Sequence, residues 1–179
     1  ILGLDLETVL RAANDAQDGE VCGVANDNAP GQVVISGHAG AVARAIELLK
    51  AAGAKRALPL PVSAPFHCAL MRPAADAMEH ALAHVAMQAP VVPVVVNVLA
   101  RPTSDPAAIR QHLVEQVTGM VRWTESVGWL AGEGGVTELY ELGTGKVLTG
   151  LAKRIAPDVA ATAVNAPADI DALVAALTA

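Results

Sequence analysis

The feature that most constrains this 179-residue chain is the order in which helical and strand-like hydrophobic periods alternate along it. Leu6, Val9, Leu10 and Ala13 share one helical face between Asp5 and about Gln17, and the polar cluster Asp15 to Gly19 stops that segment. Two β-type runs follow, Val21 to Ala25 and Gln32 to Ser36. The turn-forming residues Asn26 to Gly31 separate them and predict a hairpin with a wide tip. A second helix is expected from about Ala39 to Ala52, with Val42, Ile46 and Leu49 on one stripe and Gly53 as its C-terminal glycine. Arg56 to Leu60 then reads as a strand. Preceded by the strand-like tail Ile1 to Leu4, this is the βαββαβ order of a ferredoxin-like unit, with its first strand mostly missing. The chain is accordingly expected to begin inside an element, and Ile1 to Leu4 has no signal-peptide character.

The prolines at 59 and 61 open an extended linker, so a boundary is expected there, with one subdomain over 1–61 and a second part over 62–179. In the second part an Ala-rich helix is predicted from about His67 to Met87, with Pro73 tolerable only in its first turns. A buried strand at Val91 to Leu99 follows, then helices at about Asp105 to Val117 and Trp123 to Ala131. A strand at Val136 to Glu141, a helix from Lys146 to Ile155, a strand near Ala160 to Val164 and a closing helix from Ala168 to Leu177 complete the pattern. Such alternation predicts an α/β architecture with a parallel sheet covered on both faces.

Composition removes several function classes. With 53% hydrophobic and 17% charged residues, the chain is a folder. Aromatic residues make up 2% and the formal charge is −6, so neither base stacking nor a phosphate-binding footprint is available and nucleic acid is not an expected partner. Cys22 and Cys68 are too few for a disulfide framework, and no apolar run reaches the length of a membrane span. The expectation is a reduced cytoplasmic protein with no membrane partner.

The easily over-read motifs are weak. Gly143-Thr144-Gly145-Lys146 before a helix suggests a phosphate loop, but Tyr140 stands where that motif needs its first glycine and Val147 where it needs Ser or Thr. A tight strand-to-helix turn is favoured, although a helix N-terminus there could still touch an anion. No Gly-x-Ser-x-Gly elbow surrounds Ser36, Ser63, Ser104 or Ser126, so no nucleophile is visible. His80 and His84 have ligand spacing but the wrong order relative to Glu79, and no third ligand is obvious, so no metal site is expected. Cys68 reads as a small buried thiol. His38 and His112 carry no distinguishing context. His67 is set apart by its position, because it follows Pro61-Val62-Ser63-Ala64-Pro65-Phe66, where a strand-exit loop enters a helix. Taken alone, a histidine at a helix start is more often structural.

Longer motifs change that reading. The runs Pro30 to Gly37 (PGQVVISG) and Ala51 to Met71 (AAGAKRALPLPVSAPFHCALM) resemble the bacterial malonyl-CoA:acyl carrier protein transacylases. So do Gln116 with Trp123-Thr124-Glu125-Ser126, and Tyr140 to Gly143 with Gly145 to Leu151. The resemblance runs from Leu2 nearly to the C-terminus. It implies the C-terminal part of an α/β-hydrolase-like acyltransferase core with a ferredoxin-like subdomain. The family's Gly-His-Ser-x-Gly elbow and malonyl-pairing arginine would lie in an N-terminal segment not found here.

Carried over residue by residue, the resemblance implies that His67 is the catalytic base and that the backbone carbonyl of Gln116 accepts a hydrogen bond from its other ring nitrogen. Asn26 and Asn28 match asparagines of a subdomain loop facing the cleft. Phe66 replaces the small serine of some members, and a Phe-His pair also occurs in malonyl-selective acyltransferase domains of polyketide synthases; it implies a wall against an α-methyl group. Gly143-Thr144-Gly145 replaces the common Gly-Pro-Gly.

The implied activity is malonyl transfer from coenzyme A to the phosphopantetheine thiol of acyl carrier protein through a malonyl-serine intermediate, in fatty acid synthesis. No metal or redox cofactor is required, because malonyl-CoA and the carrier are substrates. The fragment alone is expected to be inactive, and the complete protein monomeric. Lys55, Arg56, Lys146, Lys153 and Arg154 are candidates, by charge only, for carrier docking. Two alternatives stand beside this reading: a polyketide synthase acyltransferase domain, and a non-catalytic binding or scaffolding fragment.

Overall fold

The computed structural model describes residues 1–178. Its contacts divide the chain into two units, Ile1–Ser126 and Val127–Ala179. This division differs from the boundary expected after residue 61. The physical reason lies in one short strand: Val121–Arg122 pairs in parallel with the hairpin of the first sixty residues and ties the intervening segment to it.

The first unit starts with α1 (Leu6–Asp15), whose N-cap Asp5 accepts a hydrogen bond from the Thr8 amide. β1 (Cys22–Ala29) and β2 (Gln32–Gly37) form an antiparallel hairpin, and α2 (Ala39–Ala51) follows. The hairpin tip is tighter than expected. Only Pro30 and Gly31 separate the paired residues Ala29 and Gln32, with Gly31 at φ +72°. Asn26 to Asn28 are absorbed into β1 by two register shifts, because a bulge lets a strand carry extra residues without losing its ladder. Leu2 bridges both Gln32 and Arg56, so the spatial order runs Arg56, Leu2, β2, β1, which is ferredoxin-like. The strand expected over Arg56 to Leu60 is reduced to that one bridge, since Pro59 and Pro61 have no N–H to donate to a ladder.

α1 and α2 bury Val9, Ala12, Ala13, Ala41, Ala45 and Leu49 against Cys22, Val24 and Val33 of the sheet. The alanines let the two helices approach closely. Arg44 fastens α2 to the end of α1 by donating to the carbonyls of Ala16 (3.0 Å) and Gln17 (2.9 Å).

Beyond the linker, the helix predicted from His67 starts later. A 3-10 turn (Ala69–Met71) precedes α3 (Arg72–Ala83), with Pro73 in its first turn as expected. The apolar run Val91 to Leu99 is not a buried strand. Val91 is fully exposed and only β3 (Val94–Val96) pairs, antiparallel with β4 (Arg101–Thr103). Pro90 and Pro93 interrupt the ladder upstream. Then come α4 (Pro106–Glu115), capped by the Asp105 carboxylate, and β5 (Val121–Arg122), which leads into α5 (Trp123–Ala131).

In the second unit, β6 (Glu138–Leu142) and β7 (Ala160–Val164) pair in parallel, joined by α6 (Val147–Ile155) and followed by α7 (Pro167–Thr178). This is a βαβ unit followed by a helix. The single parallel sheet expected is instead divided, among the described residues, into sheets of three, two and two strands. No helix among them is long and apolar enough to cross a membrane.

Leu49 is fully buried at the centre of the first core. Leu49→Ala is expected to destabilise the first unit by about 2–5 kcal/mol, read as a lowered urea midpoint with an unchanged slope.

Candidate active site

His67 sits in the turn between the linker and the 3-10 segment, half-buried, with a positive φ of 58°. A left-handed backbone is uncommon for a histidine and costs on the order of 1–3 kcal/mol, so the surrounding bonds must hold it. Cys68 contributes one of them: its thiol donates to the Pro65 carbonyl at 3.1 Å and closes the turn. The role expected for Cys68, a small buried thiol, is what the fold shows.

The imidazole Nδ1 lies 3.2 Å from the main-chain carbonyl of Gln116 and 3.2 Å from that of Gly119. Both partners can only accept, so Nδ1 carries the proton and Nε2 presents a lone pair. The geometry follows from the way α4 ends. The last carbonyls of a helix have no intrahelical donors, and Gln116 is the C-cap of α4. The Val117, Thr118 and Gly119 amides bond back to Val114 and Glu115, which leaves the Gln116 and Gly119 carbonyls to the ring. The helix C-terminus also places the negative end of its dipole at the imidazole.

Gly119 was not singled out from the sequence, and neither was Asn97. The Asn97 carboxamide donates to the Met120 carbonyl (3.1 Å) and accepts from the Arg122 amide (2.9 Å). Arg122 donates to the Val98 carbonyl (2.8 Å) and pairs with Glu125, which holds the Glu125 carboxyl below its usual range. No pattern around Asn97 separates it from an ordinary turn asparagine.

Asn26 and Phe66 line one cavity of about 620 Å³, walled by Val34, Ile35, Val42, Ile46 and Leu60 among others. His67, Gln116 and Asn28 do not line it. Asn26 and Asn28 lie in strand β1 and not in a loop, which corrects that expectation. Asp27 between them is buried, and desolvation pushes its carboxyl above the usual range.

The Gly143-Thr144-Gly145 turn has its own anion. The Glu141 carboxylate accepts from the amides of Leu148 (3.0 Å) and Thr149 (2.7 Å) and from the Thr149 hydroxyl (2.6 Å), so it occupies the N-terminus of α6. Gly143 and Gly145 have φ of +125° and +111°, which only glycine adopts readily; this is the tight-turn reading.

No family model matches the chain. It is 54% identical over 178 residues to the malonyl CoA-acyl carrier protein transacylase of Salmonella typhimurium, covering 99% of this chain and 56% of that protein. The Bacillus subtilis transacylase is 42% identical over 172 residues, covering 96% and 54%. The chain is a homologue of the malonyl CoA-acyl carrier protein transacylases. It spans about half the length of the transacylases it matches, and the matching half is C-terminal. The crystal structure of an acyl carrier protein S-malonyltransferase from Vibrio cholerae superposes with a TM-score of 0.93 at 50% identity, over 97% of this chain and 56% of that one. A malonyl-transacylase in complex with its type II polyketide acyl-carrier protein gives 0.91 at 48%, over 96% and 55%. The α/β class and the acyltransferase architecture expected from the transacylase motifs are thereby established.

Thr149 and the first-turn amides hold the Glu141 carboxyl below the ordinary glutamate value of 4.5. A lowered folded-state value means the stabilisation is complete above the unfolded value and is lost as pH falls through the folded one. Glu141→Gln is expected to lower the melting temperature at neutral pH. The difference from the unmutated protein should shrink as pH falls below the ordinary glutamate value and through the lowered folded-state one, measured by calorimetry. An equal difference at both pH values would refute the capping role.

Proposed function

We propose that these residues form the general-base half of a malonyl transferase that moves malonyl from coenzyme A to the phosphopantetheine thiol of an acyl carrier protein. The observation that carries the reading is the imidazole of His67 with Nδ1–H directed at two backbone carbonyls and Nε2 free. It is supported by the names of the transacylases that the chain matches over nearly its whole length.

The mechanism follows from that geometry. A serine supplied from outside these 179 residues attacks the malonyl thioester carbon while His67 Nε2 takes its proton. The Gln116 and Gly119 carbonyls hold the ring in the tautomer that can do this and face the positive charge as it forms. They stand in for the carboxylate of a Ser-His-Asp triad, with neutral dipoles in place of a full charge. As the tetrahedral intermediate collapses, the C–S bond breaks and His67 returns the proton to the departing thiol. The carrier thiol then gives its proton to Nε2 and attacks the malonyl-serine ester, and the serine oxygen recovers the proton when the C–O bond breaks. No step requires a metal or redox cofactor.

Phe66 and Asn26, which border one cavity, are assigned to substrate together with Asn28, with Phe66 as the wall that opposes a methyl branch. The Gln116 side chain takes no part, because its backbone supplies the acceptor. A carrier of polyketide assembly is the second candidate partner, since one matching structure is a complex of that kind.

In the complete enzyme, His67→Ala is expected to lower kcat by about 10²- to 10⁴-fold, whereas Gln116→Ala should stay within a few-fold of the unmutated protein, measured by transfer of labelled malonyl. A large loss in Gln116→Ala would show that its side chain acts. Phe66→Ser is expected to narrow the preference for malonyl over methylmalonyl, which a wall of this size sets at roughly 10- to 200-fold; an unchanged ratio of kcat/KM values would remove Phe66 from specificity. The 179-residue chain alone should turn over no malonyl-CoA, and robust turnover by it would mean that the nucleophile lies within the chain.

A further inference from the structure

β5 is a strand of two residues, Val121 and Arg122, yet the carbonyl of Gly119 that meets His67 hangs from its leading end. A strand so short has little ladder of its own. On one side it pairs in parallel with β1 through Asn26↔Val121 and Asp27↔Arg122. In a parallel ladder, one residue of the neighbouring strand donates to the carbonyl before its opposite number and accepts from the amide after it. The Asn97 carboxamide makes that pair of bonds, to the Met120 carbonyl and from the Arg122 amide, on either side of Val121. A single side chain therefore substitutes for a missing strand. Gly119 has no slack next to it: a Cβ there would lie 3.2 Å from the Glu115 carbonyl and 3.4 Å from Val98 Cγ1.

We propose that Asn97 is a positioning residue for proton transfer at His67, acting through Met120 and Arg122 to hold the Gly119 carbonyl against Nδ1. The proposal rests on the transacylase reading of His67 for its consequence in turnover, but not for its geometry. Hydrogen-bonding partners behind a metal-bound histidine are worth on the order of 10- to 100-fold when removed, and a comparable loss is expected for this metal-free ring, whose bond to the helix end at Gln116 would remain. Loss of the clamp frees the 119–122 segment to shift, leaves the Nδ1 proton with one weak acceptor and lets the ring populate the Nε2–H tautomer, in which it cannot act as a base toward serine.

The test combines kinetics with ¹⁵N resonances of labelled histidine. In the complete enzyme, Asn97→Leu, which is close to isosteric, should lower kcat by about 10- to 100-fold and leave KM for malonyl-CoA within about twofold. Its His67 signals should move from a single Nδ1–H tautomer to a mixture. Asn97→Asp keeps the acceptor for the Arg122 amide and removes only the donor to Met120, so it should change the tautomer in the same direction if Asn97→Leu does not fold. In the unmutated protein one Asn97 amide proton should be protected from exchange. A folded variant with an unchanged kcat and a single Nδ1–H tautomer would overturn the proposal, as would free exchange of both amide protons. If the unmutated enzyme transfers no malonyl while the tautomer still responds to Asn97, the functional reading fails and the clamp stands.

Discussion

One ring nitrogen organises this structure. His67 Nδ1–H points at two main-chain carbonyls, and each is available only because of how its own segment ends or pairs. The Gln116 carbonyl is left over where α4 stops, and the Gly119 carbonyl sits just before a strand two residues long. Backbone acceptors cannot be lost to a side-chain substitution, but they can be displaced. A ring held by two such acceptors therefore depends on the positional rigidity of the segments that carry them. Asn97 and β1 hold β5 from both sides, and Arg122 fastens it to Val98 and Glu125.

The same connection explains why the first unit reaches to Ser126. Periodicity and two prolines suggested a break after residue 61, because a change in composition is visible along the chain whereas a parallel pairing between residues about a hundred positions apart is not. Asn26 illustrates the consequence. Flanked by turn formers, it reads as part of a loop, but its backbone lies in β1 opposite Val121 while the residue also borders the cavity next to Phe66.

Helices were the more legible elements. α1, α2, α5 and α6 lie close to where their apolar periods and caps place them, since a helix completes its hydrogen bonds locally. Strands fared worse in proportion to their dependence on a partner. Val91 to Leu99 has the composition of a buried strand and is largely exposed, because prolines interrupt its ladder and only β4 pairs with it. Glu141 shows a local rule that composition hides. Its carboxylate fills the N-terminus of α6, so a glycine-rich turn that resembles a phosphate site already carries its anion.

The α/β class, the ferredoxin-like order of the first sixty residues and the transacylase resemblance were legible in the amino-acid sequence, because these rest on local period, capping chemistry and long contiguous motifs; His67 stood out there only by its place in one of those motifs. The pairing of His67 with Gln116 came with the resemblance and not from spacing. The second acceptor at Gly119, its bracing by Asn97 and the division of the expected sheet emerge from the folded arrangement alone. These depend on which backbone groups a neighbour leaves unpaired, and that is a property of the fold, which no single segment carries.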